Sequence, residues 1–302
     1  MLDRASTFAD PEIIGLLQTQ FIPVGIDQFK QRRQQDEEGD FWRKIAGKGP
    51  RNDFNNTTQG LYIATPGGTF LAFNNNRGPE RIKKLMLESL DAYDKLRDEE
   101  TSPLTVKKPD NRFLHKAPDG IRIVRVHAKV LGGYKPTDDK WQKIFQQSVS
   151  RDNLWITPRE EKVLSETRSF PSSLIRRLAL YHLIDNTRGE PSFWKEADIM
   201  KSTLSIDASG NLHGNIHLQR GDGTSSYQAE LRGIISFNNS SLTRFDLVAH
   251  GGYIGGGKHT LTPPGGTFPL GISFRLVDGS SPFDQIPPQG AKSWWQNYLG
   301  PQ

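Results

Sequence analysis

The stretch that decides the fold of this chain is TTQGLYIATPGGTFLAF, from Thr57 to Phe73. It predicts two short strands, Gly60–Ala64 and Thr69–Phe73, joined by the sequence Pro-Gly-Gly at 66–68. Proline presets the φ angle at the start of a turn and glycine accepts a positive φ, so this sequence favours a tight connection. We therefore predict a β-hairpin here.

Helical segments flank the predicted hairpin on both sides. The segment 10–20 opens with an aspartate and a proline, which are typical of a helix start, and continues with an apolar stripe. The apolar run FIPVGI at 21–26 is predicted to be a buried strand, and the charged segment 30–46 is predicted to be helical in part. After the hairpin, apolar residues at helical spacing predict a helix over 78–96.

The segment 10–27, DPEIIGLLQTQFIPVGID, followed by the hairpin and its helix, resembles the later part of the thioredoxin-like domain of bacterial thioredoxin-family proteins. The resemblance covers residues 5–97 and implies an α/β fold. The redox site of that family is a CxxC loop, and this chain contains no cysteine. The sequence TTQ at 57–59 also stands where the family places a proline. No catalytic residue carries over, so the resemblance implies either a non-redox domain or an N-terminally truncated one, whose first strand and CxxC loop would precede this sequence.

The composition excludes several classes of protein. Without cysteine there is no disulfide, no thiolate nucleophile, no dithiol redox couple and no cysteine metal site. No window approaches ~18 consecutive apolar residues, so we expect no transmembrane helix. The first residues lack the pattern of a signal peptide, and we expect a soluble protein, either cytoplasmic or exported with a leader absent from this chain. The net charge is +5, but lysine and arginine are spread along the chain among acids, so nucleic-acid binding is not expected.

Periodicity divides the chain into three regions. We predict a thioredoxin-like domain over 1–97, a linker with a strand and helices over 98–195, and an antiparallel β domain over 196–302. In the middle region, 120–131 alternates between apolar and polar residues like a strand, and 170–184 has helical spacing. From about residue 197 onward, alternating segments separated by turn sequences predict at least five strands. The predicted fold class is α+β, with a thioredoxin-like α/β segment followed by an antiparallel β-barrel or sandwich.

Four polar residues of the predicted β domain are candidate metal ligands, namely His213, His217, Glu230 and His250. On one straight strand the two residues His213 and His217 would lie about 13 Å apart, too far to share an ion. If the next two turns close successive hairpins, Asn215, Glu230 and His250 fall in one row, with the other histidines one step to either side. Imidazole and carboxylate ligands suit zinc or copper. The alternative is an ordinary polar face with unremarkable histidines.

Other chemical candidates favour structural interpretations. The glycine-rich run 251–257 lies between strands and no helix follows it, so we do not expect a phosphate loop. His182 lies near the end of a predicted helix, three residues before Asp185, where a cation is favoured for structural reasons. Neighbouring charges such as Arg244 and Asp246 are expected to form cross-strand ion pairs. No G-x-S-x-G sequence indicates a hydrolase.

These observations lead to two hypotheses of different classes. The leading one is a non-redox binding or scaffold protein, whose thioredoxin-like part is an interaction platform and whose β domain binds a ligand. Its expected partners are another protein or a second copy of this chain. The alternative is a zinc- or copper-dependent enzyme that uses the histidines of the β domain. The sequence names neither the ligand nor a reaction, and it leaves open whether the protein is an enzyme.

Overall fold

The structure is a computed structural model that describes residues 3, 6–96, 110, 116–256, 260–291 and 295–300. Its contacts divide the chain into two compact units, a smaller one over Asp3–Phe113 and a larger one that comprises mainly Leu114–Gln302. Most of the region predicted as a linker therefore lies in the larger unit. No helix among the described residues combines the length and the apolar composition needed to cross a membrane.

The smaller unit combines helices with one β-hairpin. Its core is formed by apolar residues of the first helix, the first strand and the long fourth helix, and a short 3-10 turn precedes them. The elements are the 3-10 turn Thr7–Ala9, α1 Pro11–Thr19, α2 Gln28–Gln31, α3 Glu37–Ala46, β1 Leu61–Ala64, β2 Phe70–Asn74 and α4 Pro79–Tyr93. The buried core residues are Ile13, Ile63, Ile82 and Met86.

The structure confirms the predicted hairpin and its preceding helix. Strands β1 and β2 pair antiparallel, and the N–H of Gly68 donates to the carbonyl of Thr65 to close the turn. Gly68 has a φ of +84°, and a Cβ there would lie 2.8 Å from the Phe41 ring, so the turn requires glycine. At the start of α1, the Asp10 carboxylate accepts hydrogen bonds from the N–H groups of the first turn.

The prediction of a buried strand over 21–26 is wrong. These residues follow α1 without regular secondary structure, and Ile22 and Val24 are 83% and 73% exposed. A strand requires a neighbour for its N–H and C=O groups, but the described sheet of this unit has only the two strands of the hairpin. Pro23 also lacks an N–H group for one edge of such a strand.

The larger unit is built on a single seven-stranded antiparallel sheet. The sheet curls into a half-barrel, with the strand order β4-β3-β9-β8-β7-β6-β5. The strands are β3 Arg122–Val130, β4 Asp152–Ile156, β5 Ile199–Ile206, β6 Asn211–Gln219, β7 Ser226–Asn238, β8 Ser241–Ile254 and β9 Phe268–Val277. The helices are α5 Lys140–Gln147, α6 Pro158–Thr167, α7 Ser172–Arg177 and α8 Trp295–Leu299, with a π-helical turn Leu178–His182 after α7.

This sheet confirms the α+β class and the antiparallel β domain, and it refines their details. The described strands form one open half-barrel where a closed barrel or a two-sheet sandwich was predicted. The strand predicted over 120–131 is β3, and it pairs with β9, so it extends the C-terminal sheet. Hydrophobic residues of the inner face, such as Phe245 and Phe274, share one core with α7 and with the π-helical turn, which contributes Leu178.

The order of the strands decides which connections meet. In an antiparallel meander, successive turns alternate between the two ends of the sheet. The turn from β6 to β7 and the connection from β8 to β9 share one end, since Ser226 pairs with Ile254 and Tyr253 pairs with Phe268. The turn from β7 to β8 lies at the opposite end, where Asn239 and Ser240 both have positive φ angles.

Candidate functional site

A cleft of about 250 Å³ opens at the end of the sheet shared by the turn from β6 to β7 and the connection from β8 to β9. Its third wall is the irregular segment after the π-helical turn. π-Helical turns are rare and recur at functional sites. The lining residues that carry the chemistry are Asp185, Arg220, Ser225, Tyr253, Gly255 and Thr260.

Arg220 is the cationic side chain of this cleft, and its orientation is fixed from one side. Its Nη2 donates to the main-chain carbonyls of Ser192 and Phe193. The guanidinium lies over the ring of Trp194, 5.2 Å from its centroid. A guanidinium has five N–H donors, so one held through Nη2 retains donors at Nε and Nη1 for a further acceptor.

The two carboxylates that line the cleft already accept hydrogen bonds from neighbouring residues. Asp185 is buried, and its Oδ1 accepts from the N–H and the hydroxyl of Thr187, while Arg188 donates to Oδ2. Asp222 Oδ1 accepts from the hydroxyl and the N–H of Thr224, at 2.7 and 3.0 Å. These bonds hold the pKa of Asp222 below its usual value. Both carboxylates are therefore already engaged by donors of the protein.

Hydroxyl groups and bare main chain complete the cleft. Thr260 is 3% exposed, and its Oγ1 has no hydrogen-bond partner among the described residues. Gly255 has a φ of +125°, and a Cβ there would lie 2.4 Å from the hydroxyl oxygen of Ser225. Any larger residue at 255 would displace that hydroxyl, so glycine keeps the wall open.

Tyr253 lines the cleft as a neutral phenol. Burial raises its pKa, and the nearby Asp185 carboxylate acts in the same direction. A phenol of raised pKa keeps its proton near neutral pH, so Tyr253 offers a hydrogen-bonding group and no phenolate nucleophile. The arrangement as a whole binds and orients polar groups.

The predicted row of polar residues is present on the outer face of the sheet. Asn215 lies opposite Glu230, and Glu230 lies opposite His250, as the turn positions predicted. The side chains make different contacts from those of a metal site. Arg232 Nε donates to Glu230 Oε1 at 2.8 Å, and its Nη1 lies 2.9 Å from His213 Nδ1. A guanidinium thus bridges the carboxylate and one imidazole.

The remaining candidate ligand, His217, lies opposite Gln228 on the neighbouring strand. Within the described residues, no group of three or more histidine, cysteine, aspartate or glutamate side chains could hold a metal ion. The structure thus gives no support for the zinc or copper site, which stays a prediction. The expected ion pairs do occur on this face, but within single strands, as between Arg244 and Asp246, whose Nε and Oδ2 atoms are 2.6 Å apart.

A second arrangement has the form of a catalytic relay, but it is fully buried. His182 Nε2 lies 2.7 Å from the hydroxyl oxygen of Tyr298, and its Nδ1 lies 3.2 Å from Asp152 Oδ2. Burial raises the pKa of Tyr298, which keeps the phenol protonated. All three residues are buried. The expectation that His182 is structural agrees with this burial, although its partners are Asp152 and Tyr298.

The cleft could not be predicted from the sequence, because each of its walls has the pattern of an ordinary turn. Arg220 begins a turn sequence over 220–224, Ser225 directly follows it, and Gly255 belongs to the glycine-rich run between strands. The available signal was connectivity, because alternate connections of a meander share one end of the sheet. Thr260 has no signal of its own in the sequence.

In comparisons with protein-family models, curated proteins and solved structures, no match to this chain was found.

Proposed function

We propose that this protein is a non-redox binding protein. Its larger unit, called the β unit below, holds a small polar ligand in the cleft beside Arg220. The observation that carries the proposal is that one cleft contains both a fixed guanidinium and the buried hydroxyl of Thr260. This hydroxyl has no hydrogen-bond partner among the described residues. Buried polar groups are nearly always hydrogen-bonded, so an unpartnered donor in a cleft supports a ligand there.

The chemistry of the lining favours binding over catalysis. Asp185 and Asp222 are both engaged by neighbouring donors, so neither is disposed as a general base. The raised pKa of Tyr253 disfavours a phenolate nucleophile. The chain has no cysteine to supply a thiolate. What the cleft offers is a set of oriented hydrogen-bonding groups.

In the same proposal, the smaller unit is a thioredoxin-like interaction platform. The segments that carry the resemblance are the first helix, the hairpin and the helix that follows it, and they correspond to α1, β1 with β2, and α4. A thioredoxin-like unit without cysteine performs no dithiol exchange. A protein partner or a second copy of this chain is its proposed occupant, with the exposed side chains of Ile22 and Val24 available for contact.

Ligand-observed NMR tests the binding proposal. The purified chain is screened against mixtures of amino acids, sugars, hydroxy acids and phosphorylated metabolites by saturation transfer. A cleft variant, Arg220→Gln with Thr260→Val, should lose the signals that the unaltered chain gives. Arg244→Gln, which removes the same charge from the outer face, is the matched control and should retain them. Signals from no compound, or signals equal in all three proteins, would contradict the proposal.

The alternative of a zinc- or copper-dependent enzyme is tested on the same preparations. Metal analysis of the purified chain and of a His250→Ala variant measures whether a stoichiometric ion depends on that imidazole. A metal content of one ion per chain that falls in the variant would favour the enzyme over the binding protein.

A further inference from the structure

The balance of donors and acceptors in the cleft points to the chemical class of its ligand. We infer that the cleft binds an oxyanion, a carboxylate or phosphate group of a small metabolite, through Arg220. This inference rests on the proposed binding function and specifies which part of the ligand is recognised.

The acceptors of the cleft are already committed within the protein. Asp185 accepts from Thr187 and Arg188, and Asp222 accepts twice from Thr224. A cationic or donor-rich ligand would have to compete with these intramolecular hydrogen bonds for the carboxylate oxygens. The low pKa of Asp222 expresses how strongly its charge is already stabilised.

The donors of the cleft are only partly committed. The recorded hydrogen bonds of Arg220 both come from Nη2, and a guanidinium presents parallel N–H pairs that match the two oxygens of a carboxylate or phosphate. Arg220 is the only cation among the described lining residues. The Thr260 hydroxyl has no acceptor among the described residues. A ligand that supplies acceptor oxygens satisfies both groups.

The shape of the cleft agrees with a small anion. Gly255 and Gly256 leave one wall without side chains, and a Cβ at either position would meet a neighbour within 3.0 Å. The volume of about 250 Å³ corresponds to roughly eight water molecules at about 30 Å³ each. This space accommodates one small metabolite.

Isothermal titration of the full chain with inorganic phosphate, acetate, glycerate and the neutral polyol glycerol tests the inference. We expect at least one of the three anions to bind and glycerol to bind more than about tenfold more weakly. Raising the salt concentration from about 0.05 M to about 0.5 M should weaken anion binding, because Arg220 is partly exposed. Comparing the affinity for phosphate with the affinities for acetate and glycerate distinguishes a phosphate ligand from a carboxylate ligand.

Variants at one position decide whether Arg220 is the recognising group. Arg220→Gln should weaken the anion more than about tenfold, Arg220→Lys should restore part of the affinity, and Arg244→Gln should leave it unchanged. If Arg220→Gln fails to fold, the lysine variant and the salt dependence of the unaltered chain still decide the result.

The possible failures separate the two proposals. Equal binding of glycerol and the anions, or anion affinity within about twofold in Arg220→Gln, would overturn the oxyanion inference and leave the binding function standing. If none of these probes binds while the metabolite screen finds a neutral or cationic ligand, the inference also falls alone. If neither experiment finds a ligand, both proposals fall.

Discussion

Replacing Arg177 with methionine should reduce the unfolding free energy of the β unit by about 3–5 kcal/mol, because it leaves Glu160 buried without its partner. The two side chains are 1% and 6% exposed, with Arg177 Nη2 2.5 Å from Glu160 Oε2. The same Nη2 donates to the carbonyl of Trp155 at 3.0 Å. Methionine fills a similar volume, so the loss reports the uncompensated charge more than a cavity.

Glu160 has a second role that the experiment must separate. It caps α6, since its carboxylate accepts from the N–H of Thr157 while the Thr157 hydroxyl accepts from the N–H of Glu160. Losing this capping box costs about 1 kcal/mol. The double variant Arg177→Met with Glu160→Leu should therefore be more stable than Arg177→Met alone, although less stable than the unaltered chain.

Urea unfolding followed by far-UV circular dichroism, with tryptophan fluorescence as a second signal, measures both variants. Ser173→Ala, which removes one hydrogen bond to Glu160 without leaving a charge unpaired, is the milder control and should cost about 1 kcal/mol. A loss below about 1 kcal/mol for Arg177→Met, or a double variant no more stable than Arg177→Met, would refute the reasoning.

The pH dependence gives the same reasoning an independent check. Burial opposes the charge of Glu160, but the hydrogen bond and the charge of Arg177 prevail and lower its pKa from 4.5. A lowered pKa in the folded state adds stability above the unfolded pKa, and this stability is lost as the pH falls through the folded value. In Arg177→Met the lone carboxyl favours its neutral form, so the difference between the proteins should shrink between neutral pH and about pH 4.

Three further predictions concern packing and charge elsewhere. Asp284→Asn should cost about 2–3 kcal/mol in urea unfolding, because Asp284 is buried and accepts hydrogen bonds from two arginines. In the smaller unit, Ile13→Ala should cost about 2–5 kcal/mol, whereas Ile22→Ala should change stability by less than about 0.5 kcal/mol, since only Ile13 is buried. Gly210→Ala should lower the melting temperature, because its φ is +85° and a Cβ would lie 2.4 Å from the carbonyl oxygen of Ile235; an unchanged melting temperature would contradict that geometry.

The elements that could be predicted from the sequence are those with local signals. The hairpin over 61–74 follows from its Pro-Gly-Gly turn, and the strands β6 to β9 follow from alternation of apolar and polar residues. Turn positions also fixed the register, so Asn215, Glu230 and His250 lie in the predicted row. Alternation also predicted the two faces of the sheet, because successive side chains of a strand point to opposite faces.

The prediction that failed depended on a neighbour that the sequence does not specify. The apolar run 21–26 has the composition of a strand, but no described strand pairs with it, and its side chains are exposed. The row of candidate ligands was placed correctly by register, yet side-chain conformation decided its contacts. Arg232 reaches both Glu230 and His213, and alternation carries no information about where a long flexible side chain ends.

The cleft shows how a site can arise from segments that are individually ordinary. Arg220 begins one turn, Gly255 begins a loop, and Asp185 follows a helix end. The meander brings the first two to one end of the sheet, and the segment after the π-helical turn adds the third. Once they meet, the local hydrogen bonds of each segment decide what remains for a ligand. Each carboxylate already accepts a hydrogen bond from a threonine two residues further along the chain, Asp185 from Thr187 and Asp222 from Thr224. More donors than acceptors of the cleft are left without partners among the described residues, so the hydrogen bonds that fold the walls favour the proposed anionic ligand.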